Sequence, residues 1–137
     1  MSRPTRLLSR VPLLLASIAF FVAPRAPAQI TITFTNGQTN STAVDTTFPN
    51  SPTLTIDAGT ATLSGILSGT GSIEKTGLGT LILSGANPHS FTTVSAGTLA
   101  LGATNALPSS GSVSVAAGAT LDVAGFNATI GTLSGSG

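Results

Sequence analysis

The titratable residues that could carry acid–base chemistry in this 137-residue chain are few and scattered, although serine is abundant. The only histidine is His89. The carboxylates are Asp45, Asp57, Glu74 and Asp122. Acid–base and nucleophilic catalysis need such groups within hydrogen-bond reach of each other. The sequence near His89 supplies only Asn87, Ser90 and Thr92 as polar neighbours, so we predict a solvent-facing turn residue and not a proton shuttle or metal ligand.

The remaining catalytic and metal patterns are weak. A Ser–His–Asp set can be assembled on paper with Asp57 or Asp122, but no Gly-x-Ser-x-Gly elbow opens a helix. The two aspartates lie near glycines, yet the Gly-Gly-x-Gly-x-Asp nonapeptides of calcium-binding β-rolls are absent from the sequence. Glu74 and Lys75 are adjacent and point to opposite faces of a strand, which predicts two solvated charges and not a dyad.

Two glycine pairs, Gly69-Thr-Gly71 and Gly77-Leu-Gly79, are similar to phosphate-binding loops. Such loops need a helix N-terminus after them, and here a strand is predicted to follow. The sequence therefore predicts no catalytic, cofactor-binding or metal-ligating residue, and the protein is not expected to be an enzyme. The alternative left open is the N-terminal piece of a secreted β-helix carbohydrate-active enzyme whose catalytic residues lie outside this chain.

Residues 1–28 have the features of a cleavable signal peptide. Arg3, Arg6 and Arg10 give a positive start, residues 11–23 form an apolar run, and Ala26-Pro27-Ala28 supplies the small residues of a cleavage site. The run is shorter than the roughly 20 apolar residues that span a bilayer. We therefore predict cleavage after Ala28, a secreted or cell-surface location, and no stable membrane insertion once the leader is removed.

Removal of the leader changes the charge of the protein. Four of the five basic residues lie within it, so the remaining chain has Lys75 against four acids, a net charge of 1 − 4 = −3. Nucleic-acid binding needs clustered Lys and Arg, which excludes that class of partner. Because the chain has no cysteine, backbone hydrogen bonds and aliphatic packing must hold the fold.

A repeat sets the architecture. Gly59, Gly79, Gly97 and Gly118 recur at steps of 20, 18 and 21 residues, each beside a short run of alternating apolar residues. A period near 20 residues is typical of one stacked supersecondary unit. It predicts an all-β fold, a right-handed parallel β-helix (β-solenoid) of about four rungs, where a rung is one full circuit of the chain. These glycines are predicted to form the corners with positive φ.

The repeat also divides the chain. Residues 29–52 are predicted to be a polar lead-in, with Ile30, Ile32 and Phe34 on the inner face of one strand, then a loop in which Phe48 folds back as a cap. Residues 53–137 are predicted to be solenoid repeats. Since the sequence stops within a unit, we expect a chain truncated at its C-terminus, and self-association through the open solenoid end.

Two consecutive stretches carry a family resemblance. Lys75-Thr-Gly-Leu-Gly-Thr-Leu-Ile-Leu-Ser-Gly-Ala-Asn87 and Phe91-Thr-Thr-Val-Ser-Ala-Gly-Thr-Leu-Ala-Leu101 closely resemble the autotransporter-associated β-strand repeat. Pro88-His89-Ser90 departs from the family, which has an aromatic and a Gly-Gly pair there. The resemblance implies a bacterial secreted passenger folded as a parallel β-helix. It suggests a structural stalk or adhesin, with carbohydrate or protein as a surface ligand.

Overall fold

The computed structural model describes residues 29–47 and 50–137, so the predicted signal peptide and the predicted Phe48 cap lie outside the described residues. Within those ranges the structure has strands and turns, and no helix is long and apolar enough to cross a bilayer. The strands are β1 (Thr31–Phe34), β2 (Thr39–Asn40), β3 (Val44–Asp45), β4 (Thr53–Ile56), β5 (Thr60–Leu63), β6 (Leu67–Ser68), β7 (Ser72–Thr76), β8 (Thr80–Leu83), β9 (Phe91–Val94), β10 (Thr98–Leu101), β11 (Ser112–Val115), β12 (Thr120–Asp122) and β13 (Thr132–Gly135).

All pairings between these strands are parallel, and each strand pairs with its equivalent in the next rung. The first sheet has the order β1-β4-β7-β9-β11-β13, and the second has the order β12-β10-β8-β5-β2. A short third sheet pairs β3 with β6. This topology confirms the predicted all-β parallel solenoid. The fold has about five rungs, one more than predicted, because β1, β2 and β3 of the lead-in form a rung of their own.

Alternation along the strands builds the core. In the first sheet, Leu54, Lys75 and Val94 align across neighbouring strands and point inward. In the second sheet Leu81 and Leu99 align in the same way. The interior is therefore a stack of mainly aliphatic side chains, interrupted by Lys75, that adds one layer per rung. Stability depends on neighbouring rungs, as expected for a solenoid.

The lead-in strand follows the predicted alternation only in part. Phe34 is buried, and Ile32 is half-buried and packs against the core, as predicted. Ile30, which has the same parity as Ile32 and Phe34, is 37% exposed, because it precedes β1 in the terminal rung of the described residues; its carbonyl still accepts a 2.8 Å hydrogen bond from Thr53 N–H. Residues 40–52, predicted to be a loop, contain the end of β2 and the whole of β3.

Glycine has two different roles at the corners between the sheets. Gly59, Gly97 and Gly118 have φ of +74°, +65° and +78°, which confirms the predicted left-handed conformation. At the corner between β7 and β8 the prediction for Gly79 is wrong, since Gly77 has the positive φ of +74°. A Cβ on Gly79 would lie 2.5 Å from Cγ2 of Ile56. Gly79 is therefore needed for close packing of adjacent rungs.

Candidate binding surface

His89 is buried, so the prediction that it faces solvent is wrong. Its Nε2 lies 2.7 Å from the hydroxyl of Thr92, and its Nδ1 has no partner among the described residues. Thr92 takes an inward position that Ile73 and Val113 occupy on the flanking strands. His89 and Thr92 thus form a hydrogen-bonded polar pair in the interior, where the neighbouring strands place aliphatic side chains. Burial lowers the pKa of His89 from 6.5 to about 4, which leaves the imidazole neutral near pH 7.

Lys75 is also buried, although the sequence predicted a solvated charge. Its Nζ donates hydrogen bonds to the carbonyls of Thr76 and Gly77, both at 2.8 Å, and to the carbonyl of Ala96 at 3.1 Å. Burial lowers the pKa of its ammonium group. Glu74 points the other way, as predicted, and its carboxylate accepts a 2.6 Å hydrogen bond from Ser95 Oγ. The ammonium joins a corner of its own rung to that of the next.

Asn87 is a structural residue that the sequence did not reveal. Its Oδ1 accepts a 2.8 Å hydrogen bond from the Leu67 backbone N–H, and its Nδ2 donates to the carbonyls of Gly85 and Ala106 at 2.9 and 2.7 Å. The Asn87 amide thus makes the kind of hydrogen bonds that a backbone peptide group would make, and it connects three successive rungs. The only sequence signal was its position just before the Pro-His-Ser departure from the family pattern.

The remaining candidates stay apart. Asp57 follows the first-sheet strand β4, whereas Asp122 ends the second-sheet strand β12 and accepts a hydrogen bond from the backbone N–H of Ala124. Residues 29–47 and 50–137 contain no cluster of three His, Asp or Glu side chains suited to a metal ion. Strands β7 and β8 follow the two glycine pairs, which confirms the prediction that a strand and not a helix comes next.

Hydroxyl groups form regular columns on the outward faces of both sheets. On the second sheet Thr60, Thr80, Thr98 and Thr120 align across four strands. On the first sheet the outward column consists of Thr31, Thr53, Glu74, Thr93, Ser114 and Ser134. Neighbouring positions in such a column lie about 4.8 Å apart, as strands in a sheet do. The protein thus presents flat, rigid and mostly uncharged faces.

Phe91 interrupts this pattern. Its neighbours in the column are Ser72 on β7 and Ser112 on β11, and the column ends with Thr132 on β13. Phe91 as a residue is 55% exposed. One large apolar side chain therefore lies in a face that otherwise consists of hydroxyl side chains and Glu74.

The third side of the solenoid contains a shallow groove of about 580 Å³. The chain returns from the second sheet to the first through residues 84–90 in the middle rung, whereas residues 64–71 and 102–111 make the flanking connections. The groove is lined by Ile66, Ala86, Asn87, Pro88, Asn105, Leu107, Pro108, Ser109 and Thr129. Asn87 has its hydrogen bonds filled by the backbone, which leaves Asn105, Ser109 and Thr129 as the groups available for polar contact.

Two comparisons with known proteins relate this chain to exported repeat proteins. Residues 73–101 match the passenger-associated-transport-repeat family. Over 82 residues, 58% of this chain, the sequence is 46% identical to the adhesin BmaC autotransporter of Brucella suis biovar 1 (strain 1330). Residues 73–101 are therefore a repeat of the autotransporter passenger type. The predicted resemblance is therefore confirmed.

The matches cover only part of this chain and a small part of the relative. The chain spans about 2% of the length of the BmaC adhesin. No solved structure is significantly similar to the chain. The similarity to an autotransporter passenger indicates an exported protein, secreted or at the cell surface.

Proposed function

We propose that the chain forms part of the stalk of an exported adhesin, in which stacked rungs hold flat hydroxyl-bearing faces away from the cell for contact with another surface. The observation that carries this proposal is the 46% identity to an autotransporter adhesin over 82 residues. The role is mechanical display and surface recognition, without catalysis.

The geometry is consistent with such a role. A parallel solenoid gains length with each rung while its cross-section stays the same, and every rung repeats the outward pattern of the previous one. Glu74 aside, the outward first-sheet column of Thr31, Thr53, Thr93, Ser114 and Ser134 bears no charge. Hydroxyl groups donate and accept hydrogen bonds, which suits carbohydrate or protein surfaces.

The alternative, a piece of a secreted carbohydrate-active enzyme, is less well supported. In the described residues the buried titratable groups Lys75 and His89 contact backbone carbonyls and a threonine hydroxyl, not a carboxylate. The match is to an adhesin. Self-association through the end of the solenoid stays a prediction.

We also propose that residues 1–28 direct export and are removed after Ala28. Expression of the full chain in a Gram-negative host and N-terminal sequencing of the exported protein test this step. A mature N-terminus at Gln29 is expected. An uncleaved Met1 in exported material would contradict the proposal.

Adhesion is tested by expressing the full chain on the surface of a non-adherent bacterium, fused to a heterologous surface anchor. We expect more cells to attach to epithelial monolayers than with the anchor alone. A matched anchor carrying a β-solenoid of similar length but unrelated sequence controls for bulk display. Attachment equal to that of this control would contradict the proposed function.

A further inference from the structure

The outward face of three adjacent strands in the first sheet combines groups that occur together nowhere else on the described surface. One column across β7, β9 and β11 contains Ser72, Phe91 and Ser112. The column two residues further along the same strands contains Glu74, Thr93 and Ser114. We call these six residues the Phe91 grid. Its two columns lie about 6.6 Å apart, and neighbouring residues within a column lie about 4.8 Å apart.

We propose that the Phe91 grid is a binding site for a neutral polysaccharide. An exposed aromatic face stacks on the C–H groups of a pyranose ring, and the hydroxyl and carboxylate side chains around it bind the sugar hydroxyls. This inference rests on the proposed function, because it names the ligand class and the site that a stalk of this kind would use for adhesion.

The fold offers no reason for the ring of Phe91 to be exposed. Its neighbours Ser72 and Ser112 show that the repeat accommodates a small hydroxyl residue at this position without loss of the strand. An isolated exposed apolar side chain is common on protein surfaces. Here it lies within a column of hydroxyl groups and one strand away from a fixed carboxylate, which is a combination suited to a sugar.

Glu74 is positioned before any ligand arrives. Its Oε1 accepts a 2.6 Å hydrogen bond from Ser95 Oγ, which orients the carboxylate and leaves the other oxygen free to accept. Diagonal positions on neighbouring strands are about 7–8 Å apart, so Phe91 and Glu74 can contact the same saccharide. A hydrogen bond from a sugar hydroxyl to a carboxylate is charge-assisted and stronger than one between neutral groups.

Charge selects the class of polysaccharide. After residue 28 the sequence has one lysine and no arginine, and the ammonium of Lys75 is buried against three carbonyls. The exposed acids Asp45, Asp57 and Asp122 add to the negative charge of Glu74. A sulfated or phosphorylated glycan would be repelled by this surface. A neutral polysaccharide meets no such barrier.

Native gel electrophoresis of the exported protein, residues 29–137, in gels containing a polysaccharide tests the proposal, because the four arginines of residues 1–28 would themselves bind an acidic probe. The neutral probes are dextran, laminarin and hydroxyethyl cellulose. Heparin is the acidic probe, and poly-lysine covers the case of a cationic protein ligand. We expect at least one neutral probe to slow migration and heparin to have no effect. Phe91→Ser, which installs the residue found on both neighbouring strands, should weaken the retardation about tenfold.

Two further variants make the result specific. Leu78→Ser removes an 84% exposed side chain at the corner between β7 and β8, outside the grid, and should migrate as the wild type does. Phe91→Tyr keeps the aromatic face and should retain binding. Circular dichroism melts of all variants should agree within a few degrees.

Three results would overturn the proposal: no retardation by any neutral probe, equal retardation of wild type and Phe91→Ser, or retardation by poly-lysine alone. Failure of this proposal can be distinguished from failure of the proposed adhesin function. Attachment of displayed cells that persists without neutral-glycan binding rejects this inference and leaves the proposed function. Glycan binding without attachment rejects the proposed function and leaves the Phe91 grid.

Discussion

Glu74 and Lys75 follow one another along β7 and have opposite surroundings. Lys75 points into the solenoid, where its ammonium is held by the carbonyls of Thr76, Gly77 and Ala96. Glu74 points outward, where one hydroxyl holds it and solvent reaches it. Because side chains alternate along a strand, β7 places Lys75 in the interior and Glu74 on the surface. Inward polar groups tie rungs together, and outward polar groups are available to a ligand.

The interior of the middle rung, residues 72–90, extends this comparison. Lys75, Asn87 and His89 lie inside it, whereas the inward positions of the rung before it are occupied by aliphatic residues such as Leu54, Ile56 and Leu63. A buried polar group is costly unless it is hydrogen-bonded. Lys75 and Asn87 have three such bonds each, and His89 has one through Nε2. The interior of this rung therefore depends more on specific partners than the interior of the rung before it.

The largest effect is expected at Lys75. Lys75→Ala removes a buried stem and leaves three carbonyls without the ammonium, which should lower the free energy of unfolding by about 3 kcal/mol. Lys75→Met keeps the stem and should lose about half as much. Chemical denaturation followed by circular dichroism measures both. Glu74→Gln is the matched control, with an expected change below about 0.5 kcal/mol. Equal losses at the two positions would remove the distinction between faces.

Asn87→Ala should destabilise the fold by about 2–3 kcal/mol, because the backbone groups of Leu67, Gly85 and Ala106 lose their partner. Asn127→Ala changes an exposed asparagine and serves as the control, with little expected change. Thermal melts of the two variants give the comparison. If Asn87→Ala melted together with Asn127→Ala, the proposed link between three rungs would be wrong.

His89 predicts a pH dependence. Its pKa is about 4 in the folded chain and about 6.5 when unfolded, so between these values the unfolded state binds more protons and stability falls as the pH is lowered. The loss reaches roughly 2–3 kcal/mol by pH 4 and then levels off. Denaturation of wild type and His89→Gln between pH 7 and pH 4 isolates this contribution from the carboxylates. Parallel curves for the two proteins would show that His89 is not the titrating group.

Substitutions at the corners should lower the free energy of unfolding least. The backbone conformation decides the cost there, because these glycines have no side chain that faces inward or outward. Gly118→Ala places a Cβ at φ +78° in open space and should cost about 1 kcal/mol. Gly59→Ala should cost more, since its Cβ would overlap the Asn36 side chain, which accepts a 3.0 Å hydrogen bond from Thr60 N–H. Ser64→Ala, at an exposed serine, is the control. Equal melting temperatures for all three would contradict the corner geometry.

The sequence predicted the solenoid because both of its determinants are local. Alternation of apolar residues marked the strands, and the recurring Gly59, Gly97 and Gly118 marked the corners. The polar interior could not be predicted by residue type, since lysine and histidine usually lie at the surface. Alignment of Lys75 with Leu54 and Val94 gives the correct inward position once the register is known. The partners of His89 depend on a connection shorter than its neighbours, which composition does not reveal.

Phe91 illustrates the same limit on the outward side. In the sequence Phe91 is the first residue of the second stretch that resembles the family, and only the pairing of β7, β9 and β11 shows that its neighbours are Ser72 and Ser112. The binding grid is a property of three rungs together. A single repeat read along the chain does not contain it.

The most direct test of the division between inward and outward faces is to measure stability and polysaccharide retardation together for Lys75→Met and Glu74→Gln, two neighbours in one strand. We predict that Lys75→Met lowers the melting temperature and, while folded, binds the neutral polysaccharide as the wild type does. Glu74→Gln should keep the melting temperature and bind about fivefold more weakly. Stability and binding that change together in both variants would contradict the account.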